Sequence, residues 1–270
     1  MMLTILAAAM LCNGHSELCG RRYDQVTYVT THRSMSAQEL GFVPPSQYDS
    51  ISKQLSSGVR GLMLEMRLYK HAVYLCHNLC ELGHQSAFEA LYNIAEFLKA
   101  NQTEVVTLFL DENLDSNDLQ TVFSESGLLS LTHTQPPGAP WPTLQNLIAQ
   151  NHRVIVFSTS DHGAGYPWLH RFSDFAWNAA TNAKRMESLI CHPQSNNSSK
   201  KMMIFNNYLA TPFSYELLAK HINFNPLFMN NTRACANLSG QVPNFISVDF
   251  HSLGDIINVT DTLNSEGPHP

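Results

Sequence analysis

Gly58-Val59-Arg60-Gly61-Leu62-Met63-Leu64-Glu65-Met66-Arg67 is the stretch on which the fold turns. From Gly61 to Met66 it is apolar except for one carboxylate. A run that continuous has no wet side. It reads as a strand buried on both faces, as strands of parallel sheets are. Side-chain alternation puts Met63, Glu65 and Arg67 on one face of it. Similar runs recur at 26–30, 72–76, 105–110, 154–157, 175–177, 202–205 and 245–248, which makes eight candidate strands. Helical periodicity falls between several of them. In Ala87–Ala100 the stripe is Phe88, Leu91, Ile94, Phe97 and Leu98, and Leu144–Ala149 and residues 215–222 also read as helices. Eight strands with interleaved helices predict a single-domain α/β fold, an irregular (β/α)8 TIM-type barrel; an open doubly wound sheet is the alternative. The irregularity lies between the second and third runs, where the gap is too short for a crossover between parallel strands.

Composition narrows the class. The chain has 270 residues, 44% of them hydrophobic and 14% charged, against roughly 25% charged in an average domain. That suits a large core and not a disordered chain. A net charge of −6 argues against nucleic acid as a partner, because such proteins carry a basic face. Residues 1–11 read as a signal peptide, with an apolar core over 3–11, although a buried first strand or helix fits the same residues. Residues 12–260 are assigned to the barrel and 261–270 to a polar tail that frays. Residues 195–201 and 135–140 are the clearest loops.

Six cysteines suit an oxidising compartment. The sequence alone does not choose their partners. Pairing in chain order, Cys12/Cys19, Cys76/Cys80 and Cys191/Cys235, is the expectation, and a zinc site around Cys76-His77-Asn78-Leu79-Cys80 is the rival. Glycosylation sequons at Asn101, Asn196, Asn197, Asn230, Asn237 and Asn258 also favour a secreted glycoprotein.

Polar residues stand where the apolar runs end: His32, Glu65 with Arg67, His77, Asp111 and Asp249. In a parallel barrel those ends converge on one mouth, where active sites are built. Two histidines suit cleavage of a phosphodiester, one taking a proton from the attacking hydroxyl and the other giving one to the leaving oxygen. The phosphate oxygens need a cation, from arginine or a metal ion. Each residue also has a plainer reading. His32 or Asp249 can cap a strand or helix, His77 can be a spacer between cysteines, and Glu65 and Asp111 can form salt bridges to Arg33 or Arg67. His162 and His170 flank Gly163-Ala164-Gly165-Tyr166-Pro167-Trp168, a loop expected near the mouth.

Several stretches resemble the secreted phospholipase C-like phosphodiesterases of the phosphatidylinositol-specific phospholipase C X-domain superfamily. They are Cys12-Asn13-Gly14-His15-Ser16-Glu17-Leu18-Cys19, Thr31-His32-Arg33-Ser34, Gly58 to Glu65, Leu75-Cys76-His77, Glu104 to Asp111 and Pro243 to Phe250. The resemblance implies a phosphodiesterase acting on a phospholipid such as phosphatidylinositol, with transient contact to a membrane surface. It implies His32 as general base, His77 as general acid and Asp249 as the group orienting His32. Glu65 and Asp111 become metal ligands if calcium is used, and Arg33 and Arg67 are, from their places beside these groups, the candidate substrate-binding residues. Two positions depart from the pattern. Met63 stands at a third calcium position and cannot ligate. Arg33 stands where calcium enzymes carry Asn and bacterial ones Asp, while metal-independent bacterial enzymes carry Arg where Glu65 is. Arg33 can therefore replace the missing cation, or it can pair with Glu65 and leave a catalytically weak or inactive secreted binding protein. A metal-dependent nuclease is the weaker third reading, since an acidic chain repels nucleic acid.

Overall fold

The structure is a computed structural model and describes residues 10–179, 183–185, 189, 191, 202–209, 211 and 214–268. Residues 1–9 of the expected signal peptide, the 195–201 loop and the sequons Asn196 and Asn197 lie outside the described residues.

In chain order the elements are β1 (Tyr28–Thr31), α1 (Ile51–Ser56), β2 (Gly61–Tyr69), β3 (Ala72–Leu75), β4 (Gln85–Ser86), α2 (Ala87–Ala100), β5 (Val106–Glu112), α3 (Ser116–Glu125) and α4 (Leu144–Ala149). They continue with β6 (Val154–Ser158), β7 (Leu169–Arg171), α5 (Phe172–Phe175), β8 (Ala176–Ala179), β9 (Met202–Asn207), α6 (Glu216–Ile222), α7 (Leu227–Ser239), β10 (Phe245–Val248) and α8 (Ile256–Ser265). Eight strands pair in parallel in the order β7-β6-β5-β2-β1-β10-β9-β8. The sheet curls as a barrel does, and among the described residues no ladder joins β7 to β8.

Alternation along these strands sorts the core into two layers. Tyr28, Phe109, Phe157, Ile204 and Phe245 point inward and pack on one another. The residues between them, such as Val29, Leu62, Leu108, Val156 and Ile246, point outward against Leu55 of α1 and Leu91, Ile94 and Leu98 of α2. Gly61 lies opposite Thr30 in the β1–β2 ladder, and a Cβ there would run into the Thr30 side chain. The N-cap of α2 is Ser86, whose hydroxyl accepts from Glu89 N at 3.3 Å. Of the expected stripe, Phe88 is exposed, and Ala87 and Ala90 take the buried positions in its place.

The expected strand list needs three corrections. The run at 72–76 is not a barrel strand: β3 pairs antiparallel with β2, from Met66↔Leu75 to Tyr69↔Ala72, and with β4 beyond it. Lys70 and His71 join β2 to β3 with φ of 48° and 66°, the two positive values that a tight two-residue hairpin turn requires. The eighth parallel strand is instead β7, three residues long and too short to register as an apolar run. At 175–177, Phe175 ends α5 and the strand runs over Ala176–Ala179. The tail also begins later than expected, because α8 continues through Ser265 with Leu263 buried. The Asn264 side chain accepts from Thr27 N and donates to Thr27 O, both at 2.9 Å, and so ties the last helix to the entry of β1.

The cysteines pair as Cys12–Cys19, Cys76–Cys80 and Cys191–Cys235. No helix among the described residues is long and apolar enough to cross a membrane.

His170 in β7 is buried, accepts from Gln135 N at 2.9 Å through Nε2 and donates to Val156 O at 2.8 Å through Nδ1. Both bonds need the neutral ring. Burial holds its pKa down to about 4, against 6.5 for a free histidine. Between those values the unfolded chain binds the proton that the folded chain refuses. Stability is therefore full above pH 6.5 and falls as the pH drops toward 4. In melting curves across that window, His170→Gln will show a shallower dependence on pH than the parent; an equal slope would remove His170 as its source.

Candidate active site

The ladder between β1 and β10 runs from Tyr28↔Phe245 to Thr31↔Val248. Carried one residue further, the same register sets His32 beside Asp249, and His32 N donates to Val248 O at 3.0 Å. The side chains meet there: His32 Nδ1 lies 2.8 Å from Asp249 Oδ1. Their backbone is pinned from outside. The Gln47 amide donates to His32 O at 2.9 Å and to Val248 O at 3.0 Å, and Asn223 Nδ2 donates to Asp249 O at 2.9 Å. With Nδ1 committed to the carboxylate, Nε2 is the nitrogen left for proton transfer. Tyr208 stacks on the imidazole, with ring centres 3.7 Å apart and planes 3° apart. Burial, then the nearby Asp249 carboxylate, pushes its phenol well above the usual range, so it stays neutral.

Glu65 is the second centre. It lies on the inward face of β2, in register with Asp111 of β5. His77 Nδ1 is 2.7 Å from its carboxylate, Arg33 Nε donates to Oε1 at 3.3 Å, and Arg67 Nη2 is 3.8 Å from Oε2. Burial works to raise the Glu65 pKa, but the His77 bond and the charges of His77, Arg33 and His32 outweigh it and lower the value. Glu65 is an anion inside a ring of donors. Asp111 has a side chain that is 62% exposed; Arg67 Nη2 donates to its Oδ1 at 3.3 Å and Arg67 Nη1 to its backbone oxygen at 2.6 Å.

The chain turns sharply just after each key group. Arg33 follows His32 with φ 45°, Asn78 follows His77 with φ 52°, and Phe250 follows Asp249 with φ 48°. Side-chain-bearing residues avoid this left-handed region at a cost of about 1–2 kcal/mol each. Strain of this kind gathers at functional sites, where the surrounding structure holds it in place.

A cavity of about 340 Å³ opens at this end of the barrel. His32, Arg33, Glu65, Asp111 and Tyr208 line its polar side, and Met63, Phe109 and Phe157 line its floor. His77 lies in an adjoining cleft that shares Arg33. Arg67 lines neither, being turned to Asp111. A larger depression of about 840 Å³, near Lys99, Glu125 and Arg153, contains no histidine and none of these groups.

Sequence reasoning passed over Asn206, which closes the apolar run 202–205, and Tyr208, which follows β9, although both line the cavity. The strand-end rule that selected Asp249 selects them equally. Glu112, next to Asp111, faces away from the cavity. Its carboxylate accepts from Ser158 Oγ at 2.7 Å and lies 3.0 Å from His162 Nε2, which fixes the loop after β6. His162 and His170 thus have structural partners, and neither lines the cavity.

The residues present do not fit calcium. That ion takes six or more oxygen ligands. Glu65 already receives His77 and Arg33, Asp111 receives Arg67, and Met63 stands at the third position. Cys76 and Cys80 bond each other, so the CHNLC segment is not a zinc site.

The PI-PLC X family model, described as PI-PLC X 1, matches residues 18–264. The chain belongs to that family. A PI-PLC X domain-containing protein of Arabidopsis thaliana is 25% identical over 91% of this chain and 63% of its own length. An uncharacterized secreted protein of Arthroderma benhamiae is 26% identical over 91% of this chain and 61% of its own length. The chain thus spans less than two thirds of these relatives. Among solved structures, phosphatidylinositol-specific phospholipase C of Listeria monocytogenes superposes with a TM-score of 0.57 at 15% identity, covering 90% of this chain and 94% of that one. A Staphylococcus aureus phosphatidylinositol-specific phospholipase C gives 0.60 at 14% identity, again over 90% and 94%. At those identities the likeness concerns the fold.

Replacing Glu65 by Gln deprives Arg33 and His77 of their shared anion where all three are mostly buried. Denaturant titration is expected to show a loss of about 1–3 kcal/mol. Asp111→Asn, at an exposed pair, is expected to change stability by less than about 1 kcal/mol. Equal losses would contradict Glu65 as the centre.

Proposed function

We propose that the chain is a phosphodiesterase that cleaves a phospholipid such as phosphatidylinositol by two-histidine acid–base catalysis. One observation carries this reading: each imidazole is held at Nδ1 by its own carboxylate, His32 by Asp249 and His77 by Glu65, on either side of Arg33. Nε2 of His32 takes the proton of the attacking hydroxyl as its oxygen bonds to phosphorus. The bond from phosphorus to the leaving oxygen breaks, and that oxygen takes the proton of His77 Nε2. The Arg33 guanidinium faces the non-bridging oxygens and offsets their charge in the transition state. Glu65 keeps Arg33 and His77 in place, a positioning role in place of metal ligation. A hydroxyl on the head group itself would yield a cyclic phosphate, and water would yield the open monoester.

The two sides of the acid differ in polarity. Beside His77 and Arg33 the cleft is lined by Phe42, Val43, Leu79 and Leu82. Val43 is 64% exposed and Leu79 60%, and Val43 N donates to Leu82 O at 2.8 Å, which joins the two loops. Apolar side chains beside the proton donor suit a leaving group that carries acyl chains, and transient contact with a membrane surface. The three disulfides, the exposed asparagines of the sequons at 101, 230, 237 and 258, and a relative named as secreted support an extracellular glycoprotein.

The test is release of phosphorylated head group from vesicles containing phosphatidylinositol, with calcium and with chelator. Release will persist in chelator and fall by about a hundred-fold or more in His32→Ala and in His77→Ala. Release that requires calcium would overturn the assignment of Glu65. No release from folded protein would favour the second reading, a binding protein whose Arg33–Glu65 ion pair has closed the site.

The apolar rim has its own readout. Val43→Ser with Leu79→Ser will lower vesicle binding and vesicle turnover while leaving kcat/KM on a water-soluble glycerophosphoinositol within about two-fold, since about 1.5–3 kcal/mol of transfer energy per large side chain is withdrawn only at the membrane. An equal loss on both substrates would mean that these side chains serve the site and not the surface.

A further inference from the structure

His77 is the one proposed acid–base group carried by no parallel strand. It follows β3, whose ladder with β2 ends at Met66↔Leu75, with one more backbone bond from Cys76 N to Glu65 O at 3.1 Å. Past that point the chain is closed on itself by the Cys76–Cys80 disulfide, with a sequence separation of only 4. His77, Asn78 and Leu79 form the loop. A ring this small permits few conformations. The one adopted puts Asn78 at φ 52°, a value Asn and Gly tolerate better than other residues.

That turn folds the Asn78 side chain back onto its neighbour. Asn78 Nδ2 lies 3.0 Å from His77 Nε2. The imidazole is therefore engaged at both nitrogens, by an ionised carboxylate at Nδ1 and a neutral amide at Nε2. Nδ1 is enclosed by Glu65, so Nε2 is the nitrogen that a leaving oxygen must reach. An amide that donates to Nε2 favours the ring without a proton there, which is the wrong form for an acid. The same amide turned to present its oxygen would accept that proton and favour the acid. Leu79, next in the loop, belongs to the apolar rim, so a substrate seated there lies against the same ring.

We propose that Asn78 is a positioning residue that governs the Nε2 proton of His77, held in reach by the Cys76–Cys80 loop and displaced by the leaving-group oxygen when substrate binds. The inference rests on His77 being the general acid, and its deciding measurement, a titration, needs no substrate. The His77 ring nitrogens are followed by 15N NMR against pH in the parent and in Asn78→Gly, which keeps the backbone conformation and removes the amide. With the amide donating as in the structure, its removal lets Nε2 keep its proton to higher pH, by about half a unit or more. The alkaline limb of kcat/KM will move the same way, with KM little changed. Asn78→Asp, whose carboxylate can only accept, will move both further. The paired Cys76→Ser/Cys80→Ser variant, with the loop released, will reproduce the Asn78→Gly titration. Superimposable titrations of parent and Asn78→Gly overturn the proposal even in an active enzyme. A shifted titration in a chain inert toward every phosphodiester tried would leave the proton control standing and remove the enzymatic reading.

Discussion

Everything at the mouth depends on the pairing of the first parallel strand with the last. β1 and β10 are separated by more than two hundred residues, yet their ladder is in strict register over four pairs. That register sets His32 against Asp249, and the bond at Nδ1 then decides which imidazole nitrogen faces the cavity. A one-residue slip would turn His32 to the helix layer and Tyr28 out of the interior. Gln47, Asn223 and Asn264 all spend side-chain bonds on the backbone around these two strands. Polar side chains buried there do for the ladder what apolar packing does elsewhere in the core.

Much of this was legible in the chain, for a definite reason. Strands buried on both faces leave long apolar runs, and a parallel barrel gathers their ends, so His32, Glu65, Asp111 and Asp249 announced themselves as charges closing such runs. What escaped notice depended on direction or on very short elements. Nothing in Lys70-His71 marks a hairpin, since neither residue is Gly or Asn, and so β3 read as one more barrel strand. That reversal folds His77 back onto Glu65, so the pairing of this carboxylate with an imidazole could not be read from the chain. β7 has three residues and leaves no periodicity. The polar residues after 260 hid Leu263, which joins the outer core layer, and Asn264, whose partner Thr27 lies at the far end of the sequence.

The left-handed residues after His32, His77 and Asp249 share one physical logic. A strand that ends in a regular turn carries its last side chain away along the strand direction. An abrupt reversal leaves that side chain at the rim while the backbone drops out of the way. Arg33 gains most from it, since its neighbours are then both Glu65 and the cavity. The surrounding hydrogen bonds make such strained turns affordable in a protein whose net stability is small.

The seam between β7 and β8 has a consequence for how this scaffold can diversify. The cavity wall draws Phe172 from the short helix spanning that seam and Asn178 from the strand beyond it. A closed barrel fixes its girth by strand number and shear, so resizing its interior means disturbing every ladder. An unlaced edge removes that condition. Residues on either side of it can be lengthened, shortened or exchanged to reshape the cavity while the His32–Asp249 register, on the opposite flank of the sheet, stays as it is.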